Sequence, residues 1–230
     1  MLGDHPLWCA LGGALAGGAV ALALGLAGAL PSPPHPAAVP AAAAPAQGAE
    51  GFLAAWRAHL MASWSVDELD ERTTAAGTTV RFEVHEAQAP PDSVVIGNGT
   101  VAARRGATAL ACGPAPAPQR YACRSAPARL TWQQRVDAEM AGLRAEVLGA
   151  RPYFAVRATG AGCWAFDLVR PADTVPVALG RGASYCLDLA TGALRSSEVR
   201  RVGATDRLTV VAAHAPATPA DLALPDGASA

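Results

Sequence analysis

Four cysteines in the second half of the chain are the residues whose type and spacing most directly suggest chemistry: Cys112, Cys123, Cys163 and Cys186. An even number of cysteines at moderate spacing is typical of a protein that folds in an oxidising compartment. Cys112 and Cys123 flank the segment GPAPAPQRYA, whose prolines and glycine favour a stiff turn between two strands. We therefore predict a disulfide between them. Zinc ligation is the alternative, but paired CxxC spacing and nearby His ligands are missing from the sequence.

Cys163 also lies in a segment that resembles the nucleophile motif of cysteine peptidases. The segment GAGCWAF, from Gly160 to Phe166, shares the Cys–Trp pair with that motif. A thiolate nucleophile needs a His to activate it and an Asn or similar group to orient the His, both well downstream in that family. Here the only later His is His214, and the only Asn is Asn98, which lies upstream. The alternating pattern after Cys163 predicts a strand, so a cysteine hydrolase remains a remote alternative.

An acidic run and one histidine are the other candidates for chemistry. The run comprises four carboxylates that we expect on the solvated face of a strand or turn: Asp67, Glu68, Asp70 and Glu71. The segment TVRFEVHE alternates apolar and polar residues, which predicts a strand with His85 on its solvent side and without a metal-binding or catalytic role. HExxH, GxSxG and phosphate-binding Gly-rich motifs do not occur. The sequence therefore predicts a protein that is not an enzyme, with no catalytic residue, metal site or cofactor.

The overall charge excludes one large class of partner. The chain of 230 residues has a formal net charge of −1 and a pI of about 6.5. Proteins that bind nucleic acid need a basic excess to neutralise the phosphate backbone. We therefore expect no nucleic-acid partner.

The N-terminal segment predicts export or membrane attachment. Leu7 to Leu30 contains no formally charged residue, and a helix of that length at about 1.5 Å per residue would cross a bilayer core. We predict that residues 1–30 are a signal peptide or a membrane anchor, with a slight preference for the anchor. Cys9 lies at the start of the apolar run, where it is misplaced for lipoprotein processing. The other cysteines place the rest of the chain on the extracytoplasmic face.

Composition and periodicity divide the remainder of the chain. Residues 31–48 are rich in Pro and Ala and predict an extended linker, followed by a β-rich domain over 49–226 and a short tail over 227–230. Within the domain, AEGFLAAWRAHLMASW predicts a helix whose apolar stripe ends at Trp64. A second helix is predicted over TWQQRVDAEMAGLRAEVLGA, where Thr131 and Gln134 have the spacing of a capping box.

The C-terminal third predicts a run of strands. GCWAFDLV and ASYCLDLATG both alternate, so Cys163 and Cys186 can pair on one face if these strands are neighbours. DRLTVVAAHA predicts the last strand, and we expect the residues after it to be a loose tail.

This order of elements, together with three segments, resembles the LolA-like group of envelope proteins. YFAVRATGAGCWAFDLV is similar to a strand of that group that ends in a Gly-rich turn. YCLDLATGALR is similar to its D-x-x-T-G-x-x-x-R hairpin, here Asp188, Thr191, Gly192 and Arg195, and TPADLALP to its closing segment. The resemblance covers roughly residues 50–226. It implies an α+β fold in which an antiparallel, incompletely closed β-barrel wraps around helices and holds a lipid acyl chain or a partner.

The functional expectation follows from export and from this resemblance. We expect a non-enzymatic extracytoplasmic envelope protein, anchored in the membrane through its N-terminal helix or secreted, that binds a lipid or other apolar ligand in the half-barrel. The alternative is a membrane-tethered regulatory or sensor module that binds an envelope protein partner, because the LolA-like group includes sensors that bind an anti-sigma factor.

Overall fold

The computed structural model describes residues 45–170 and 179–228. The predicted signal or anchor segment at 1–30, and the predicted linker up to residue 44, lie outside the described residues. Among the described residues, no helix combines the length and the apolar character needed to span a membrane.

The described residues form two helices and eleven strands. The helices are α1 (Pro45–Met61) and α2 (Trp132–Leu148). The strands are β1 (Trp64–Thr74), β2 (Thr79–Ala89), β3 (Asp92–Gly97), β4 (Thr100–Arg105), β5 (Thr108–Pro114), β6 (Tyr121–Pro127), β7 (Phe154–Gly160), β8 (Cys163–Leu168), β9 (Gly182–Leu187), β10 (Leu194–Arg201) and β11 (Ala204–His214).

All eleven strands belong to one antiparallel sheet, in the order β6-β5-β4-β3-β2-β1-β11-β10-β9-β8-β7. Each half of the sheet is a meander, and the pairing of β1 with β11 joins the halves, with a register shift between Asp67 and Glu68. The sheet ends at β6 and β7 and is open. The predicted α+β class with an antiparallel, unclosed sheet is confirmed.

Helix α1 differs from its prediction at both ends. It ends at Met61, and Trp64 begins β1, because the backbone of Trp64 to Val66 is already paired with β2. Trp64 Nε1 then donates a hydrogen bond of 3.1 Å to the His59 carbonyl. The helix begins at Pro45, inside the predicted linker, and Gly48 permits its close approach to β7. A Cβ atom at Gly48 would lie 2.4 Å from the Val156 carbonyl oxygen.

Helix α2 agrees closely with its prediction. The Thr131 side chain accepts a hydrogen bond from the Gln134 backbone, and the Gln134 side chain accepts one from the Thr131 backbone, which completes the predicted capping box. Its apolar stripe is buried at Trp132, Val136, Leu143 and Val147, and one charged residue beside the stripe, Glu139, is buried as well.

Both helices pack on the same side of the sheet, which we call the helix face. The largest buried cluster lies there, and aromatic residues of α1 contact those of β8 and β9. The ring centroid of Phe52 lies 4.6 Å from that of Phe166, and the Trp56 centroid lies 5.3 Å from that of Tyr185, both with edge-to-face geometry. These contacts fix α1 over the second half of the sheet.

The opposite side of the sheet, which we call the outer face, is partly covered by the C-terminal segment. Leu222, Leu224 and Ala228 pack in a cluster with Val94 and Val101 of the first half of the sheet. The expectation of a loose tail after β11 is therefore wrong for this segment. Packing continues to Ala228, which is 3% exposed and lies beyond the predicted domain boundary at 226.

Two disulfides join adjacent strands. Cys112 of β5 lies directly opposite Cys123 of β6 and is bonded to it. Cys163 of β8 is likewise opposite and bonded to Cys186 of β9. Because the sulfur of Cys163 is bonded to Cys186, it offers no thiolate, and the cysteine hydrolase has no nucleophile in this structure.

Loss of either disulfide should destabilise the domain. Replacing both cysteines of one pair by alanine should lower the free energy of unfolding by about 3 kcal/mol, because the bond restricts the unfolded chain. Urea unfolding of the two double variants measures this, with Cys9→Ala as the control. Unchanged midpoints, or free thiols at these four cysteines in non-reducing peptide mapping, would contradict the pairing.

Adding a methyl group at Gly48 should separate α1 from β7. Gly48→Ala should lower the free energy of unfolding by about 1–3 kcal/mol, since the added Cβ atom would collide with the backbone of Val156. Gly113→Ala is the matched control, because a Cβ atom there meets no heavy atom within 4 Å. Thermal unfolding of both variants checks this, and equal stability of the two would show that the approach is not tight.

Candidate functional site

The predicted acidic run is divided between the two faces of β1. Glu68 and Asp70 lie on the helix face and are only 2% and 4% exposed, whereas Asp67 lies on the outer face and is exposed. Glu71 also faces outward, where it accepts a hydrogen bond from Arg81. The prediction of a solvated face is therefore wrong for Glu68 and Asp70. Successive residues of a strand point to opposite faces, so a central strand that is covered on one side buries every second residue of such a run.

Two further carboxyl groups, those of Glu86 and Glu139, lie on the same side of the sheet. Glu86 on β2 is opposite Val66 in the register with β1, which makes it a diagonal neighbour of Glu68. Glu139 reaches the site from α2, is 1% exposed, and accepts a hydrogen bond of 2.8 Å from Trp56 Nε1. We call the following four residues the carboxyl cluster: Glu68, Asp70, Glu86 and Glu139.

Several oxygens of the carboxyl cluster are buried without a hydrogen-bond partner among the described residues. They are Oε2 of Glu68, both side-chain oxygens of Asp70, and Oε2 of Glu139. The neighbouring Arg135 Nε is in the same condition. A buried polar atom without a partner costs about 1–3 kcal/mol, and such atoms are rare in native proteins. Four such oxygens in one cluster are an unusual concentration of acceptors without donors.

The surroundings of the two β1 carboxyls favour their protonated forms. Burial raises the pKa of Asp70 to about 7, and the negative charge of Asp206 adds to this effect. Burial also holds the pKa of Glu68 far above its usual range, with Glu86 and Asp70 contributing repulsion. Glu68 is therefore a neutral acid at neutral pH, and Asp70 is balanced between its two forms.

Arg135 lies near the other two members of the carboxyl cluster and opposes the rise of their pKa values. Burial raises the pKa of Glu86, and the charge of Asp70 raises it further, while Arg135 opposes both effects. Burial also raises the pKa of Glu139, against the hydrogen bond from Trp56 and the charge of Arg135. Arg135 itself stacks on Trp132, with its guanidinium carbon 4.0 Å from the ring centroid.

A fully paired ion cluster adjoins the unpaired carboxyls on the helix face. Asp206 accepts two hydrogen bonds from Arg72, of 2.6 and 2.9 Å, and another from Arg201. Burial alone would raise the pKa of Asp206, but these hydrogen bonds outweigh it and lower the pKa. The same region of the sheet therefore pairs the Asp206 carboxylate with two arginines, whereas both side-chain oxygens of Asp70 lack a hydrogen-bond partner among the described residues.

The outer face carries a separate groove that includes His85. As predicted, His85 is on this face, but it is only partly exposed. Its Nδ1 lies 2.8 Å from Asp67 Oδ1, and its Nε2 lies 2.8 Å from the Asp221 carbonyl oxygen, so it ties the C-terminal segment to the sheet. The groove has a volume of about 700 Å³, and its apolar lining includes Leu69 and Val211.

The predicted site residues and the carboxyl cluster are different parts of the protein. The four paired cysteines lie in hairpins and contribute nothing to the cluster. Across residues 45–170 and 179–228, no three His, Cys, Asp or Glu side chains converge to hold a metal ion. Sequence reasoning missed Glu86 and Glu139. The available signals were that Glu86 continues the alternation of Val84 on β2, and that Glu139 lies three residues after Val136 on the apolar stripe of α2.

Comparison with known proteins gives a distant structural likeness. No protein-family model and no curated protein matches the sequence. The fold is similar to a LolA superfamily protein from Nitrosomonas europaea, with a TM-score of 0.32 and 10% identity over 78% of this chain and 98% of that one. A domain from Vibrio parahaemolyticus described as outer membrane lipoprotein-sorting has a TM-score of 0.31 and 10% identity over 77% and 97% of the two chains. A DUF1329 family protein from Desulfovibrio piger has a TM-score of 0.32 and 10% identity over 74% of this chain and 92% of that one.

The raised pKa values predict that stability falls as the pH rises. Above its ordinary pKa and below its raised pKa, such a carboxyl holds a proton in the folded protein but not in the unfolded chain. Its stabilisation is therefore complete at low pH and is lost as the pH rises through the folded-state pKa. Asp70 should therefore lower the unfolding free energy only up to about pH 7, whereas Glu68, whose pKa is raised much further, should lower it by about 1.4 kcal/mol per pH unit throughout the range from about pH 6.5 to 8.5.

Urea unfolding at several pH values measures this slope, and two isosteric variants identify its source. Glu68→Gln should flatten the slope, whereas Glu83→Gln should leave it unchanged, because Glu83 is exposed on the outer face of β2. Burial lowers the pKa of His59 to about 4, so His59 opposes the trend only below about pH 6.5. Identical slopes in the wild type and Glu68→Gln would mean that Glu68 is ionised in the folded protein.

Proposed function

We propose that this protein is a non-enzymatic extracytoplasmic binding protein that holds a lipid or other largely apolar ligand against the helix face. The observation that carries the proposal is the group of buried carboxyl oxygens without partners, enclosed by apolar side chains. A surface of this composition suits a ligand with a long apolar part and one polar end.

The apolar contribution comes from the strands that flank the carboxyls. In the strand register, Asp70 lies between Phe82 of β2 and Leu208 of β11, and Glu68 lies opposite Val84. Leu208 and Val84 are 2% exposed, whereas Phe82 is only partly buried and offers a surface for contact. Because Glu68 is neutral, its side chain is compatible with an apolar neighbour in a way that a carboxylate is not.

The two disulfides support an extracytoplasmic location. Disulfides persist in oxidising compartments and are rare in the cytoplasm. The uncharged segment from Leu7 to Leu30 supports export, either as a cleaved signal or as an anchor that tethers the domain to the membrane. The proposed arrangement has residues 1–30 as signal or anchor, a linker over 31–44, and the binding domain from Pro45 onward.

A second candidate is a regulatory module that binds a protein partner. The observation that favours it is the outer-face groove, in which Val211 is 69% exposed. Glu68 lines this groove as well as belonging to the carboxyl cluster, but Val211 lies only in the groove, so a Val211 variant tests this candidate separately.

The test is uptake of an uncharged fluorescent lipid, such as a fluorescent monoacylglycerol, by delipidated protein. We expect saturable uptake, and Phe82→Glu should weaken it by about tenfold, because a charge replaces an apolar contact. Arg81→Glu is the matched control, since Arg81 is the preceding residue of β2 and points to the outer face. Uptake that is absent, or equally affected by both variants, would contradict the proposal. A partner that the wild-type protein captures from envelope extracts, and that a variant with Val211 replaced does not capture, would then favour the regulatory module.

A further inference from the structure

We propose that the carboxyl cluster binds a primary ammonium group at the polar end of a lipid-like ligand. This inference rests on the proposed function, because it names the chemical class of the ligand that the helix face holds.

The sheet provides one wall of the proposed ammonium site. Glu68 and Asp70 are two residues apart on β1 and point to the same face, which places their Cβ atoms about 7 Å apart. Glu86 is the diagonal neighbour of Glu68 on the adjacent strand. Three carboxyl groups thus lie on the same face of two adjacent strands.

Helix α2 independently provides a second wall. Glu139 is 1% exposed, and Trp56 Nε1 holds its Oε1 at 2.8 Å, while its Oε2 has no partner among the described residues. The hydrogen bond from Trp56 fixes the carboxyl in place, so its free oxygen is preorganised. This oxygen is close enough to the sheet for the charge of Glu139 to raise the pKa of Glu86.

The inventory of unpaired atoms favours a ligand that donates hydrogen bonds. Four unpaired oxygens belong to the carboxyl cluster, against one unpaired donor, Arg135 Nε. An ammonium group has three N–H donors, a positive charge and no acceptor. A fatty-acid carboxylate has only acceptors and would add a negative charge to this region. The ammonium group therefore satisfies the site, and the carboxylate does not.

The charges around the site do not already neutralise it. Arg72 and Arg201 are engaged with Asp206. Arg135 acts on Glu86 and Glu139, and His85 acts on Glu86. The titratable and charged groups on the elements around the site are Glu68, Asp70 and Arg72 on β1, His85 and Glu86 on β2, Arg104 on β4, Asp206 on β11, Arg201 on β10, Tyr185 on β9, and Arg135, Glu139 and Glu146 on α2. Carboxyl groups outnumber cations in this set.

Binding of the ammonium group should release protons. Without ligand, burial keeps Glu68 protonated and raises the pKa of Asp70 to about 7. A cation among these groups favours their ionised forms, so a proton leaves for the solvent as the ammonium binds. The affinity should consequently increase with pH over the range in which Asp70 titrates.

The experiment is isothermal titration of the full chain with dodecylammonium, laurate and ethylammonium, each below its micelle-forming concentration. Dodecylammonium should bind at least about tenfold more tightly than laurate, and binding heats in buffers of different ionisation enthalpy should show proton release. Glu68→Gln and Asp70→Asn should each weaken dodecylammonium binding by about tenfold or more. Glu83→Gln, on the outer face of β2, should not change it.

Each outcome separates this inference from the proposed function. Laurate binding that equals dodecylammonium binding, without proton release, overturns the inference and leaves a lipid-binding protein. If ethylammonium binds as tightly as dodecylammonium, the site binds a small free amine, and the inference that the ammonium group belongs to a lipid-like ligand is overturned. No binding of any of the three overturns the proposed function as well. Proton release is measured on the wild type, so the test stands even if a variant fails to fold.

Discussion

The antiparallel pairing of β1 with β11 is the constraint on which the rest of the structure depends. It brings together strands that lie at opposite ends of the domain sequence, with Ser65 opposite His214 and Thr74 opposite Ala204. Without this pairing the two meanders would be separate sheets, each with an additional open edge. With it, β1 becomes a central strand, and every second residue from Trp64 to Asp70 is buried on the helix face. The position of the carboxyl cluster is a direct result, because Glu68 and Asp70 occupy those positions.

Burying carboxyl groups in an apolar region has an energetic cost that the fold only partly offsets. Asp206 illustrates the compensated case, in which two arginines satisfy the charge and hold the pKa low. Asp70, its neighbour across the strands, has no such partner and keeps a proton more readily instead. Protonation removes the cost of burying a charge but leaves oxygens that still lack hydrogen-bond donors. A ligand that donates hydrogen bonds removes the remaining cost, so the same residues that weaken the empty domain are suited to strengthen the complex.

The sequence predicts local features well and tertiary placement poorly. The capping box of α2, the alternation of β2 and the hairpin positions that bring the cysteines together are all local, and the structure has each of them. The predicted end of α1 is wrong because Trp64 has the spacing of a helical residue, but its backbone pairs with β2 and begins a strand. The predicted exposure of the acidic run of β1 is wrong because the burial of Glu68 and Asp70 depends on β11, about 140 residues later in the chain. Glu139 was missed because no local pattern shows that α2 covers a carboxyl-rich sheet face.

The most direct test of this account is the protonation state of the carboxyl cluster, measured as the carbonyl stretch of protonated carboxyl groups by infrared difference spectroscopy at neutral pH. The account predicts a band from a buried neutral carboxylic acid in the ligand-free protein. Glu68→Gln should remove that band, and dodecylammonium should diminish it as carboxylates form. A spectrum without any protonated carboxyl at neutral pH, or a band that persists unchanged in Glu68→Gln, would contradict the account.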